Sequence, residues 1–190
     1  MTTRQGNNLG ESELVARVRR RDTSAMRELY DLHAGFLAGV CSRYITDRDE
    51  VNDVLQESFI RIFSSIRNFE HRGDGSLRAW MRRIAVNECL KALRRGRKLQ
   101  YLQEVPEEIA GEEDEGPPLD GIPPEAIQEM IRRLPDGYRT VFNLFVFEDM
   151  SHREIAELLG IRENSSASQY LRARARLAKE IMEYKRKHRL

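Results

Sequence analysis

Apolar side chains recur three or four residues apart along most of this chain, which is the spacing of one face of an α-helix. In the first half, the pattern predicts four helices that begin at Ser12, Asp22, Thr46–Asp47 and Ser76. In the second half, one predicted helix begins at Pro123–Pro124, and a strongly apolar one follows Pro135. No stretch shows the apolar and polar alternation of a half-buried strand. The predicted fold class is therefore all-α.

The composition changes abruptly between these two groups of helices, over residues 99–122. This stretch contains no Lys or Arg, and its acidic residues are Glu104, Glu107, Glu108, Glu112, Glu113, Asp114, Glu115 and Asp120. Like charges repel one another, and the Pro and Gly residues interspersed among them interrupt regular structure. The sequence thus predicts two small helical domains, residues 11–98 and 123–190, joined by a flexible acidic linker.

Residues 151–181 have the pattern of a helix-turn-helix. Ser151 and Glu154 have the three-residue spacing of a capping box, in which a hydroxyl and a carboxylate satisfy reciprocal amide donors. Gly160 tolerates the left-handed conformation that often ends a helix, and Asn164 is the predicted N-cap of the next helix. Two helices joined by a short glycine-containing turn are typical of this DNA-binding motif.

The second helix of the motif has a polar face that becomes cationic toward its C-terminal end. At helical spacing, this face contains Ser165, Ser168, Gln169, Arg172 and Arg176. Short polar side chains can read base edges in a major groove, whereas arginines reach phosphates or guanine. An ordinary solvated helix face would show the same polarity, and it is the capped partner helix that favours DNA binding.

Two further stretches in the first domain carry candidate binding residues. In NDVLQESF, Asp53, Gln56 and Glu57 are three to four residues apart on one predicted helix face, with Phe59 close by. In FEHRGDGSLRAWMRRIAVNECLKALRRGRK, a loop with Gly73 and Gly75 precedes a helix rich in cations, which suits phosphate binding. Trp80 lies among Leu77, Met81 and Ile84, so it is assigned to packing.

The whole-chain composition excludes more than it identifies. The formal net charge of the 190 residues is +1, so the charge balance alone indicates no nucleic-acid partner. No apolar run is long enough to span a membrane, and the N-terminus lacks the apolar core of a signal peptide. Cys41 and Cys89 are predicted to be buried free thiols. Without a phosphate-binding glycine motif or paired metal-ligand spacing, the sequence predicts a cytoplasmic protein that is not an enzyme and needs no cofactor or metal.

The same stretches resemble the sigma-70 family of bacterial transcription initiation factors, in its extracytoplasmic-function (ECF) branch. YRTVFNLFVFEDMSHREIAELLGI with SSASQYLRARARL is similar to the family's fourth domain, whose second helix reads the upstream, minus-thirty-five promoter element. DVLQESF is similar to the region that grips the clamp of RNA polymerase. The glycine loop and the helix after it are similar to the region that opens the minus-ten element. Two positions depart from the pattern, since the family usually has an apolar residue at Ser166 and often a basic residue at Ala167.

The resemblance implies core RNA polymerase and promoter DNA as partners, together with an inhibitory anti-sigma factor. It assigns polymerase binding to Asp53, Gln56, Glu57 and Phe59. It assigns the downstream promoter element to His71, Arg72, Gly73, Asp74, Arg78, Asn87, Lys91, Arg94 and Arg95. An acidic linker of this kind threads toward the active-site cleft of the polymerase in the family.

Two other functions remain open from the sequence. One is a helix-turn-helix regulator of the response-regulator type, with an N-terminal helical sensor or interaction domain. The other is a helical interaction protein without a DNA function. A sensor domain has no reason to contain FEHRGDGS followed by an arginine-rich helix, and binding to core RNA polymerase separates all three functions.

Overall fold

The computed structural model describes residues 3–96 and 117–189 of the chain, with side chains from residue 10 onward. Every regular element in these ranges is helical, as the spacing of apolar residues predicted. The helices are α1 (Thr3–Arg19), α2 (Thr23–Tyr44), α3 (Arg48–Ser65), α4 (Ser76–Arg95), α5 (Pro124–Arg132), α6 (Asp136–Val146), α7 (His152–Leu159) and α8 (Glu163–His188). A 3₁₀ turn at Ile66–Asn68 follows α3. The chain divides into two compact units, residues 1–92 and 93–190.

Local capping chemistry sets the helix starts of the first unit. The carboxylate of Asp22 accepts a hydrogen bond from the Ala25 amide at 3.1 Å and caps α2. The carboxylate of Asp47 caps α3 in the same way, from the amides of Asp49 and Glu50. Both caps agree with the starts predicted from the sequence.

The predicted start at Ser12 is wrong, because α1 begins at Thr3 and Ser12 is an exposed residue inside it. Extending a helix by one residue costs far less than nucleating it, so a possible cap within the chain does not force a start there. The core of this unit combines one face from each of its helices. Its buried members include Val15, Val18, Leu29, Leu37, Val40, Ile62, Leu77, Met81 and Leu90. Cys41 and Cys89 are buried free thiols, and the hydrogen bond between them, together with burial, raises the pKa of Cys89.

The second unit packs α5, α6 and α7 against α8. Its hydrophobic cluster consists of Ile122, Met130, Ile131, Leu134, Ala173, Leu177 and Ile181. The guanidinium of Arg139 is buried at the C-terminal end of α5. It pairs with the Asp136 carboxylate and donates hydrogen bonds to the carbonyls of Arg132 and Leu134 at 3.0 and 2.9 Å. These bonds satisfy carbonyls at the end of α5, so α6 is fixed as the base for the helices that follow. The predicted linker lies outside the described residues except for positions 117–122.

Candidate polymerase and promoter interfaces

The capping box predicted at the start of α7 is present. The Ser151 amide donates to the Glu154 carboxylate at 2.8 Å, and the Glu154 amide donates to the Ser151 hydroxyl at 3.3 Å. These hydrogen bonds favour the charged carboxylate and lower the pKa of Glu154. Gly160 ends the helix with φ of 70°, the left-handed conformation expected of it. Both ends of α7 are thus determined by residues that the sequence identifies.

The second helix of the motif starts two residues earlier than predicted. Glu163 is the first residue of α8, Arg162 is its N-cap, and no side chain caps the helix. Asn164 therefore lies inside the first turn, and its predicted capping role is wrong. The carboxylate of Glu163 suits this position, because the N-terminus of a helix carries a partial positive charge.

A histidine that sequence reasoning treated as unremarkable joins the two helices. The Nδ1 atom of His152, at the start of α7, lies 3.0 Å from the hydroxyl of Ser166 in α8. The imidazole stacks on Phe145 with a centroid distance of 4.6 Å, and Tyr170 lies 5.7 Å away. Burial lowers the pKa of His152, and the charge of Glu163 opposes that shift. The resulting neutral imidazole holds the N-terminal half of α8 against α6 and α7.

Of the five α8 residues predicted to contact DNA, four lie at the surface and one does not. Ser165, Ser168 and Arg172 are partly exposed, and Arg176 is exposed with its guanidinium 5.5 Å from the Tyr138 ring. Gln169 is only 1% exposed, so it does not lie on the open surface. Ser166, Gln169, Ala173, Leu177 and Ile181 form the buried stripe of the helix. Gln169 therefore has the helical spacing of a core residue, although its polar side chain led to the prediction of a surface position.

The acidic patch of α3 is exposed at Asp53, Gln56 and Glu57. Phe59 was expected to belong to this binding surface, but it is 3% exposed and packs against Tyr30 with a centroid distance of 4.5 Å. Its aromatic ring fills the contact between α2 and α3, on the same buried stripe of α3 as Leu55 and Ile62. The apolar member of the surface is instead Ile60, which is 68% exposed and lies one turn after Glu57.

The loop before α4 is organised by Ser76 and by two glycines. The Ser76 hydroxyl donates to the Gly73 carbonyl at 2.7 Å and accepts from the Arg72 amide at 3.1 Å. Gly73 and Gly75 have φ of 105° and 81°, which L-residues with a side chain rarely adopt. Asp74 lies exposed between them.

A cavity lies next to this loop. Its volume is about 510 Å³, and it is lined by Asn68, Phe69, Glu70, Arg72, Ser76, Ala79, Trp80 and Arg83. Trp80 packs against Phe69 with a centroid distance of 5.2 Å and is half-buried, so it combines the packing role predicted for it with a place in the cavity wall. The lining therefore offers aromatic surface, amide and carboxylate groups, and cations in one concave site.

Several predicted downstream-element residues are held by other side chains of the same unit. His71 Nδ1 lies 3.4 Å from the Glu11 carboxylate, and Arg72 pairs with Glu70 at 3.1 Å. The guanidinium of Arg78 covers the Phe36 ring at 3.9 Å.

Farther along α4, the predicted downstream residues lie at the surface. Lys91 pairs with Glu88 at 2.6 Å. Asn87, Arg94 and Arg95 are exposed. The cationic face predicted for this helix is therefore open to solvent, while His71 and Arg78 also have structural contacts.

Comparison with known proteins places these features in a family. The model for sigma-70 region 2 matches residues 29–99, and the model for sigma-70 region 4 matches residues 124–177. The ECF RNA polymerase sigma factor SigW of Bacillus subtilis is 30% identical over 183 residues, which cover 88% of this chain and 94% of that protein. The ECF RNA polymerase sigma-E factor of Haemophilus influenzae is 29% identical over 184 residues, which cover 91% and 96%. A solved structure of CnrH in complex with the cytosolic domain of CnrY aligns with a TM-score of 0.47 and 22% identity, over 90% of this chain and 96% of that one.

The chain belongs to the sigma-70 family of RNA polymerase sigma factors, in its ECF branch. It is a transcription initiation factor that binds core RNA polymerase and directs initiation at specific promoters. The matches do not favour the alternative of a response-regulator type protein with a sensor domain. Within residues 3–96 and 117–189, no helix is both long and apolar enough to cross a lipid bilayer.

Proposed function

We propose that residues 11–98 of this sigma factor dock on the polymerase and open the minus-ten element, while residues 123–190 read the minus-thirty-five element. The observation that carries this proposal is the open face of α8, where two serines precede two arginines on a helix clamped by its partner. Residues 99–122 connect the two activities. The polymerase supplies the chemistry of RNA synthesis, and the sigma factor supplies the promoter address.

In the upstream interface, Ser165 and Ser168 lie in the first two turns of α8, where a recognition helix contacts base edges. Arg172 and Arg176 lie one and two turns farther along, at a distance that suits the phosphate backbone. A short hydroxyl discriminates between bases only if the helix comes close to the groove. The link between His152 and Ser166 provides that fixed position.

The test is binding of the reconstituted holoenzyme to a panel of upstream sequences at several salt concentrations. Ser168→Ala is expected to re-rank the panel, with a change of about 1–3 kcal/mol at one base position. Arg176→Ala is expected to weaken binding to all sequences alike and to reduce the salt dependence of binding by about one counterion. Lys185→Ala is the matched control, because Lys185 lies on another face of the same helix. Re-ranking by Arg176→Ala, with uniform weakening by Ser168→Ala, would require a different docking register.

In the polymerase interface, Asp53, Gln56 and Glu57 precede the exposed Ile60 along one face of α3. An acidic patch next to an apolar side chain suits a basic partner helix, since charge steers the encounter and apolar burial slows dissociation. Asp53→Arg with Glu57→Arg is expected to reduce affinity for core polymerase without unfolding the protein, because exposed charges contribute little to stability. Glu13→Arg, an exposed charge reversal on α1, is the control. If the wild type and the variant with both charges reversed bound core polymerase equally well in a pull-down, the assignment of this α3 face to polymerase binding would be wrong.

In the downstream interface, the cavity between the glycine loop and Trp80 is the proposed site for a base extruded from the duplex. Flipping a base costs a few kcal/mol, and a site with aromatic surface and hydrogen-bonding groups offsets that cost. The exposed Asn87, Lys91, Arg94 and Arg95 then hold the strand by its phosphates. Asn68→Ala, which changes the cavity wall, is expected to reduce promoter opening by holoenzyme, read from a fluorescent base analogue in the minus-ten element. Normal opening on every minus-ten sequence tested would exclude the cavity as the base site.

We also propose a cytoplasmic protein held in check by an anti-sigma factor, as membership of the ECF branch implies. Purification of the tagged sigma factor from its own host, before and after stress, tests the proposal. A bound protein that competes with core polymerase would support it, and polymerase subunits as the sole specific partners in both states would oppose it.

A further inference from the structure

Helix α1 contacts the glycine loop through a side chain far away in sequence. Arg19, at the end of α1, donates from Nε to the Ile66 carbonyl at 3.3 Å and from Nη2 to the Phe69 carbonyl. The partners are 47 and 50 residues apart in the chain. Hydrogen bonds from a charged donor are among the stronger ones in proteins, and here they satisfy carbonyls of the 3₁₀ turn and of the segment that follows it. The region 2 match begins at residue 29, so α1 lies outside it.

A second contact from α1 reaches the same segment farther along. Glu11 Oε1 lies 3.4 Å from His71 Nδ1, and the two side chains are 26% and 28% exposed. Glu11 and Arg19 are eight residues apart, which is about 12 Å along a helix. The helix therefore contacts the segment from Ile66 to His71 at two separate points.

The segment that α1 holds forms one wall of the cavity. Phe69, whose carbonyl accepts the bond from Arg19, is 3% exposed and packs against Trp80. The backbone position of Phe69 thus sets the distance between the loop and the first turns of α4. The loop also contains two glycines with positive φ, and glycine gains the most conformational freedom when a segment is released.

We propose that Arg19 and Glu11 are positioning residues for promoter opening, and that α1 braces the loop in the conformation that receives the extruded base. The inference rests on the proposed function of the cavity. If the loop is already ordered in the free protein, binding of the base does not have to offset the entropy lost in ordering it. Without the brace, each capture event must also order the loop, so opening becomes less favourable while polymerase docking by α3 is unaffected.

The experiment compares Arg19→Gln with Arg20→Gln in holoenzyme made from the full chain. Arg20 is exposed and adjacent, so both variants lose one charge at the same helix end, but only Arg19 holds the loop. Opening is read from the fluorescent base analogue, next to affinity for core polymerase and thermal unfolding of the free protein. We expect Arg19→Gln to reduce opening about tenfold, the effect of losing one hydrogen bond of a charged group. Arg20→Gln should open as the wild type does, with polymerase affinity unchanged in both.

Two further variants separate positioning from general stability. Arg19→Lys keeps the charge but loses the guanidinium, which donates to two carbonyls at once. Promoter opening by this variant should therefore lie between that of the wild type and that of Arg19→Gln. Glu11→Gln weakens the second contact and should reduce opening about threefold, which keeps the test valid if Arg19→Gln fails to fold. Wild-type opening by both Arg19→Lys and Glu11→Gln would overturn the proposal. So would a parallel loss of opening, polymerase affinity and thermal stability in these variants.

The cavity variant Asn68→Ala, measured in the same assay, distinguishes this inference from the function on which it rests. If Asn68→Ala is impaired and the α1 variants are not, the cavity role stands and the brace is wrong. If the α1 variants are impaired and Asn68→Ala is not, α1 acts in opening through some other part of the loop. If neither is impaired, both the cavity role and the brace are wrong.

Discussion

The link between His152 and Ser166 predicts a specific loss of stability in the helix-turn-helix. His152→Ala removes the imidazole that bonds a hydroxyl whose residue is 0% exposed, and an unsatisfied buried group costs about 1–3 kcal/mol. It also removes the ring that stacks on Phe145 at 4.6 Å, a contact that contributes about 0.5–1.5 kcal/mol beyond its burial. The expected total is about 2–4 kcal/mol. A domain of this size is typically stable by about 3–10 kcal/mol, so the variant should open α7 and α8 far more often.

Hydrogen exchange resolved by peptide is the suitable assay, because it reports the second unit separately from the first. A double-mutant cycle with Ser166→Ala isolates the hydrogen bond, since removing both partners leaves no buried hydroxyl unpaired. We expect a coupling free energy of about 1 kcal/mol between the two sites. His188→Ala is the control, because His188 stacks on Tyr184 at the exposed end of α8 and should cost less than about 0.5 kcal/mol. A cost below about 1 kcal/mol for His152→Ala, or a coupling near zero, would refute the reasoning.

The same histidine gives the stability a predictable pH dependence. Burial holds the pKa of folded His152 below its ordinary value, so the unfolded chain takes up the proton first as the pH falls. Its contribution is therefore fully present above the unfolded-state pKa of about 6.5 and is lost as the pH falls through the folded-state pKa. The stability difference between wild type and His152→Ala should shrink from about pH 7.5 to pH 5.5. A difference that grows with acidity would contradict the assignment of a neutral imidazole.

Three other expectations follow from burial and backbone geometry. Arg139→Met should destabilise the second unit by about 2–4 kcal/mol because it leaves two carbonyls and the partly exposed Asp136 carboxylate unpaired, whereas Arg133→Met at the surface should cost less than about 1 kcal/mol in urea unfolding. Gly160→Ala should destabilise the protein by about 1–2 kcal/mol because of its φ of 70°. Gly39→Ala, inside a helix with open space around it, should be stabilising, and thermal unfolding measures both. Gln169→Ala should lower stability and weaken all upstream sequences together, and re-ranking of a promoter panel would show instead that the side chain reaches the bases.

The features that the sequence predicts well are those decided by neighbours within a few residues. Asp22, Asp47 and Ser151 cap helices, and Gly160 ends one, because each acts on backbone groups no more than three or four positions away. The all-helical class follows for the same reason, since a period of 3.6 residues is a local property. The misplaced starts at Ser12 and Asn164 show the limit of this reasoning. Each residue is a competent cap, but the backbone continues or begins the helix elsewhere at lower cost.

The features that the sequence missed depend on which helix packs against which. Phe59 and Ile60 are adjacent in α3, and the contact of Phe59 with Tyr30 on α2 buries the phenyl ring, whereas Ile60 is 68% exposed. The contacts of Arg19 with Ile66 and Phe69 cross about a quarter of the chain. The spacing of residues within one helix does not contain that information, so the sequence does not predict which residues form the cavity wall.

The burial of Gln169 changes how specificity in α8 must be explained. A glutamine on the open face would read adenine directly, and it would do so whatever the precise tilt of the helix. With Gln169 buried, the remaining proposed base-reading positions in the first turns are Ser165 and Ser168, whose short side chains reach a base only from one tilt of the helix. That tilt is set by Ser166, where the family usually has an apolar residue and this chain has a hydroxyl bonded to His152. A polar contact has a defined direction and length, whereas an apolar one tolerates small shifts, so the substitution at Ser166 suits a helix that depends on serines for its reading. We therefore expect the base preference of this sigma factor to depend on the buried contact as much as on the exposed side chains.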